Sequence, residues 1–226
     1  MKILLSAIVT EKFMGRYRKT VKVQEEFFPE GIAGVDRLLL TDDATNTEGV
    51  DVPTLRMNLS NGDVFNHSKA RNILLDYAWG NGYDWLLDGD ADRVVVALPD
   101  PFPKPGFTVF LQHASQKDDD PADLRKRWLA GELNAKKGSA FFIIPRMAFR
   151  TARFCEDFVF TRWEDVDYTA HVVPRAGIPI LAECGQGMHL WHPGGEHILE
   201  TLTQEGFDAN RAIYESRHAK PEKVEG

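Results

Sequence analysis

Cysteine is scarce in this chain of 226 residues: Cys155 and Cys184 stand far apart, with no CxxC spacing. That excludes a disulfide framework and a structural zinc site of thiolate type, and the two thiols read as small buried apolar residues. Long apolar runs are missing too. No stretch approaches the roughly 20 apolar residues that a membrane span needs, and "MKILLSAIVT" is interrupted by Glu11 and Lys12 too early for a signal peptide. The chain therefore reads as cytoplasmic. Positive charge is in deficit, with a net charge of −7, so any nucleic-acid contact would have to be a local patch. No internal repeat occurs, and the stretch after the first apolar run, "TEKFMGRYRK" (10–19), holds a single glycine. A Gly-rich phosphate loop is absent there.

With 43% hydrophobic and 11% aromatic residues, the chain can bury a sizeable core. Apolar runs alternate with longer amphipathic segments, the pattern of a mostly parallel sheet wrapped by helices. "KILLSAIVT" (2–10), "DRLLLT" (36–41), "YDWLL" (83–87), "FTVFLQ" (107–112), "AFFII" (140–144) and "IPILA" (178–182) read as strands. A helix is expected over 13–28, ended by Pro29 and Gly31. A second carries Ala70, Ile73, Leu74, Tyr77 and Ala78 on one face, with Asn66 or Ser68 as its cap and Gly80 at its end. "PDPFPKPGF" (99–107) is an extended connector. Residues 115–138 form either a mobile flap or a plain solvated helix around 123–133, and another helix opens at Pro145. One domain over residues 1–215 is expected, with a polar tail at 216–226.

Three constellations carry chemistry. "LLDGDAD" (86–92) sets Asp88, Asp90 and Asp92 at alternating positions where a buried strand ends, the place at which open α/β sheets bind ligands. It is either a turn or a site for a hard divalent cation bridging a diphosphate. "WEDVD" (163–167) opens a helix whose stripe is Val166, Ala170 and Val173. Its acids either cap the helix or place a carboxylate beside Trp163, where it can deprotonate a held hydroxyl. "MHLWHP" (188–193) offers His189 and His192, either of which can add an imidazole to a metal held by carboxylates.

"FNHSKARN" (65–72), "YDWLLDGDADRV" (83–94), "GSAFFIIPRMAF" (138–149) and "RWEDVD" (162–167) together resemble, in order and spacing, the β-1,4-galactosyltransferase family. "DRLLLTDDAT" (36–45) and "ARNILLDYA" (70–78) are similar to inverting family-2 glycosyltransferases. The resemblance implies the GT-A fold, a nucleotide-diphospho-sugar transferase fold. It implies Mn²⁺- or Mg²⁺-dependent, inverting transfer of a hexose (galactose, N-acetylgalactosamine, glucose or N-acetylglucosamine) from a UDP-sugar to an acceptor hydroxyl of open class, a nucleic acid included. By the same resemblance Phe65 and His67 lie near the uracil and ribose, Asp42 or Asp43 near the nucleoside, Asp88 at the ribose or donor sugar and Trp163 over the sugar. Asp90 and either histidine, His189 by preference, bind the metal, with Asp92 in reserve. Glu164 and Asp165 face the acceptor, Asp165 in the place of the general base. In this sequence His67 replaces an arginine of the family pattern, and the two glycines between Trp163 and Glu164 are missing. The competing classes are a nucleotidyltransferase, which expects the missing phosphate loop, and a non-catalytic nucleotide-sugar-binding protein, which leaves "WEDVD" without a role.

Overall fold

A computed structural model describes residues 1–61, 64–115, 119–133, 135–158, 163–191 and 204–219, without the side chains of 61, 64, 121, 122 and 135–140. In chain order the elements are β1 (Ile3–Ile8), a 3-10 turn (Glu11–Phe13), α1 (Met14–Phe27), β2 (Val35–Thr41), β3 (Thr54–Arg56), the short hairpin β4 (Ser60–Asn61) and β5 (Val64–Phe65), α2 (His67–Gly80), β6 (Trp85–Asp90) and β7 (Arg93–Ala97). Then come β8 (Thr108–Ala114), α3 (Pro121–Leu129), β9 (Ala135–Pro145), α4 (Ala148–Thr151), α5 (Glu164–Asp167), a π turn (Tyr168–Val172), α6 (Val173–Arg175), β10 (Gln186–His189) and α7 (Gln204–His218).

Eight strands form one sheet in the order β3-β2-β1-β6-β9-β8-β10-β7. β3, β2, β1 and β6 run parallel, β9 is antiparallel to both of its neighbours, and β7 is antiparallel to β10. The strands read as continuous apolar runs because both faces are covered. Leu4, Ile8, Leu38, Leu40 and Leu86 pack with Leu74, Leu75 and Phe149 of α2 and α4. Ala7, Val9 and Leu39 meet Met14, Tyr17 and Val21 of α1 on the other face.

α2 is capped by Asn66, whose side chain accepts from the Lys69 amide at 2.7 Å. It runs through Gly80, and the left-handed residue after it is Gly82 (φ 73°). α3 is anchored: Leu124 and Leu133 pack with Val23, Phe27, Val94 and Met188, and Trp128 donates to Gln186 at 3.2 Å.

Several sequence expectations are corrected. "IPILA" is no strand: Ile180 makes only an isolated bridge to Phe107, since Pro179 has no amide hydrogen for a ladder. The segment Gln186–His189, absent from the expected strands, is a strand between β8 and β7, and β7 itself went unread. Pro145 closes β9, and the helix after it begins only at Ala148. β6 continues through Asp90, so Asp88 lies inside the strand. α7 extends through His218, into the stretch expected to be tail.

Candidate active site

β6 places the acids by alternation. Leu86 faces the α2 layer and Leu87 the opposite one, so Asp88 and Asp90 follow Leu86 toward α2 while Gly89 faces away. The glycine is required: a Cβ there would run into the ring of buried Phe141. Asp88 is 4% exposed. It lies opposite Ser6 in β1, whose hydroxyl is 3.5 Å from Oδ1, and Oδ2 accepts from Nε of Arg71 at 2.9 Å. Burial pushes the Asp88 carboxyl above its ordinary range, against the pull of Arg71 and His67.

Arg71 connects this strand to α5. Its Nη1 donates to Asp165 and lies 3.6 Å from Oε1 of Glu164. Its guanidinium sits 5.2 Å and 5.1 Å from the ring centroids of Phe142 and Phe154. Burial opposes the charge, but Asp165, Asp88, Glu164 and Asp90 hold Arg71 protonated far above the physiological range. His67, the first residue of α2, brings Nδ1 to 3.4 Å from Oε1 of Glu164.

α5 differs from expectation in which face is buried. Val166 is 45% exposed and Ala170 is exposed, whereas Glu164, Asp167, Tyr168 and Val173 are buried. Aromatic stacking decides this: Tyr168 lies flat on Phe154, centroids 3.8 Å apart and planes 6° from parallel. A π turn follows α5 and shifts the helical phase away from the 3.6-residue stripe. Trp163 takes φ 66° at the helix start, a left-handed conformation better suited to glycine. Its ring packs toward Phe207 and Tyr214 of α7, at 5.9 Å and 5.0 Å. Asp167 is fully buried and anchors the same helix, 2.6 Å from Nε2 of His218 and 3.4 Å from Arg217.

Asp165 is different. Its side chain is 47% exposed and lines an open pocket of about 90 Å³ together with Arg71, Asp88, Asp90, Arg93 and Phe142. The carboxyl end is wedged into the cluster. Burial first, then Glu164 and Asp90, push it up to about 6, against Arg71 and His67.

The acid loop is held by α1. Thr20 donates to the Ala91 carbonyl at 2.7 Å, and the Gln24 side chain bonds both Val95 carbonyl and amide, at 2.9 and 2.8 Å. Strand register then brings the histidine in: His189 pairs with Arg93 across β10 and β7, and the Leu190 amide donates to Asp92 carbonyl at 2.9 Å. Nε2 of His189 accordingly lies 3.3 Å from Oδ2 of Asp92, which is buried. The histidine meets the acid that the sequence reading held in reserve, and Asp90 is instead 3.3 Å from Nη2 of Arg93. Burial alone would raise the Asp90 carboxyl, but Arg93 leads the charges that bring it below its ordinary range. Among the described residues, no three His, Cys, Asp or Glu side chains converge as a ready metal cage. His192 lies outside the described residues.

Of the remaining expected residues, Asp42 and Asp43 make their contacts outside the cluster and Phe65 borders it. Asp42 closes a turn, its Oδ1 accepting from the Thr45 amide at 2.9 Å and hydroxyl at 2.6 Å. Asp43 is exposed, with its carbonyl 3.4 Å from Arg56. Phe65 packs against the α2-side core, 6.0 Å from the His67 ring. Two cations of the site, Arg71 and Arg93, went unread. Their signals were an arginine beside the apolar face of an amphipathic helix and another directly after Asp92.

The sequence matches no protein-family profile and no curated protein. The fold does match solved structures. A Drosophila β-1,4-galactosyltransferase 7 variant in complex with manganese, UDP-Gal and xylobiose superposes with TM-score 0.56 at 11% identity, over 92% of this chain and 79% of that one. Staphylococcus aureus TarS 1–349 in complex with UDP-GlcNAc superposes with TM-score 0.54 at 12% identity, over 94% of this chain and 65% of that one. This chain thus spans just under two thirds of that TarS fragment. The order of its strands, the acids at the end of β6 and the helices on both faces give the chain the GT-A fold of nucleotide-diphospho-sugar transferases.

Proposed function

We propose that the chain transfers a hexose from a UDP-sugar to an acceptor hydroxyl, with inversion at the anomeric carbon. The observation that carries this reading is the placement of Asp165, half exposed on the pocket that also holds the acids of β6, with its surroundings pushing the carboxyl above the ordinary carboxylate range to about 6. Such a group is mostly ionised at neutral pH yet basic enough to take a proton in the transition state. The acceptor oxygen attacks the anomeric carbon as its proton passes to Asp165. The bond from that carbon to the diphosphate breaks, and its electron pair leaves with UDP. Arg71, fixed by Asp88 below and by two aromatic rings, holds the Asp165 carboxylate in one orientation. Glu164, buried between His67 and Arg71, supports that arrangement. Trp163 faces α7, so no contact of its ring with the sugar is proposed.

A divalent cation fits the donor chemistry of this chain. Buried Asp92 has an imidazole 3.3 Å away and Asp90 two residues before it, hard oxygens plus one nitrogen, which suits Mn²⁺ or Mg²⁺. Asp92 and His189 would hold it, with Asp90 adjoining, and when bound it supplies neutralisation of charge on the diphosphate.

Thermal shift with a panel of nucleotide sugars tests the reading. UDP-galactose, UDP-glucose or one of their N-acetylated counterparts should raise the melting temperature, by mass action on the folded state, where ADP- and GDP-sugars do not. Absence of both stabilisation and metal-dependent hydrolysis for every UDP-sugar would remove it.

A further inference from the structure

We propose that Arg93 is a ligand of the donor diphosphate: its guanidinium lies between Asp90 and Asp92 and turns to the phosphates when the nucleotide binds. The proposal rests on the glycosyl-transfer reading above.

Four observations carry it. First, Arg93 holds both carboxylates loosely: Nη2 is 3.3 Å from Asp90, Nε is 3.5 Å from Asp92, and Nη1 donates to Gln112 at 3.2 Å. Strong charge-assisted pairs sit at about 2.7–2.9 Å and are often bidentate. Arg93 has three long partners instead, and a diphosphate offers a fork of oxygens that matches guanidinium geometry better. Second, the other pocket arginine is committed. Arg71 is shared among Asp88, Asp165 and Glu164 and lies against Phe142 and Phe154, so it cannot turn without leaving buried carboxylates uncompensated. Third, Arg93 stands on the wall shared by the pocket facing Asp165 and a second, water-sized hollow of about 20 Å³, lined by Tyr17, Thr20 and Arg37. It therefore reaches the space above the β6 end from the strand side. Fourth, the loop itself is fixed by Thr20 and Gln24, so motion is confined to the Arg93 side chain. Asp90, released, is already half exposed and accessible to water or a cation.

The same carboxylates that Arg93 neutralises belong to the donor set for a divalent ion. The guanidinium therefore opposes metal binding, and the phosphates relieve that opposition by drawing it away. Metal and nucleotide then bind with positive coupling.

Isothermal titration tests this with UDP, uridine and Mn²⁺ alone as probes, on the wild type, Arg93→Leu and Arg93→Lys, in Mn²⁺ buffer and in EDTA. In EDTA, Arg93→Leu should bind UDP roughly tenfold to a hundredfold more weakly than the wild type, the worth of hydrogen bonds to charged groups. Arg93→Lys should retain part of that affinity, and uridine should bind all three proteins equally. Mn²⁺ alone should bind Arg93→Leu more tightly than the wild type. Equal UDP affinity in EDTA for wild type and Arg93→Leu overturns the proposal, as do a matching loss for uridine, unchanged Mn²⁺ affinity, or wild-type UDP binding seen only with Mn²⁺. A wild type that binds UDP in neither buffer overturns the donor reading as well. UDP binding that survives Arg93→Leu intact overturns the Arg93 assignment alone.

Discussion

Arg71 and Asp88 form a buried ion pair, Nε to Oδ2 at 2.9 Å, that joins the middle of α2 to the middle of β6. Arg71 is the cation of a group with three carboxylates, so removing it differs from removing one acid. Arg71→Ala should cost about 3–5 kcal/mol, the usual cost of leaving buried charge unpaired. Asp88→Asn should cost less, because Asp165 and Glu164 still hold the guanidinium. Urea unfolding of the two variants measures the difference, and equal costs would dissolve the cluster as an energetic unit.

The chemistry of Asp165 is separable from its place at the start of α5. Asp165→Asn keeps size and capping ability but cannot accept a proton. Turnover should fall by roughly 10²- to 10⁴-fold while UDP affinity stays nearly unchanged. Near-normal turnover in that variant would end the base assignment. Glu164→Gln, at a buried position behind the pocket wall and paired with His67 and Arg71, should show its main effect in stability.

The pH dependence has a definite sign. A base must be ionised, so kcat/KM of the free enzyme should fall as pH drops through about 6. Stability runs the other way. The folded chain keeps the Asp165 proton to a higher pH than the unfolded chain, so stability contributed by this group is full below the ordinary carboxylate range and is lost as pH rises through about 6. Unfolding titrations of wild type and Asp165→Asn between these limits should differ in slope, with the variant's stability gaining more, or losing less, as pH rises.

Gly89 admits the ring of Phe141. Gly89→Ala forces that buried ring to move and should destabilise by about 1–3 kcal/mol, the range for overpacking a core. The double variant Gly89→Ala/Phe141→Leu should recover part of the loss, and a double-mutant cycle from thermal melts gives the coupling.

For the metal, Asp92→Ala and His189→Ala should each weaken Mn²⁺ affinity by roughly tenfold or more, and Asp90→Ala by less. The His189-dependent part should shrink as pH falls and imidazole protonates. A larger loss for Asp90→Ala would return the assignment to that residue.

By itself the sequence determined the layered α/β architecture, because near-continuous apolar strands and amphipathic helices have few ways to bury their surfaces together. It also placed Asp88, Asp90 and Asp92 at the end of a strand in the parallel part of the sheet, the edge at which open α/β sheets offer ligand sites. The boundaries of α1 and β2 were local matters of the same kind, and of the two cap candidates, Asn66 and Ser68, the structure chose Asn66. What only the tertiary structure decided was partnership. Whether His189 meets Asp90 or Asp92 depends on the register of β10 against β7, a pairing of segments distant in the chain that no local pattern encodes. The buried face of α5 turned on Tyr168 stacking over Phe154 and on a π turn that breaks helical periodicity. Trp163 was claimed by α7, an element that arrives last in the chain. Arg71, unremarkable in "FNHSKARN", became the centre of the site because burial makes a charge seek every opposite charge within reach, and folding brought three of them there.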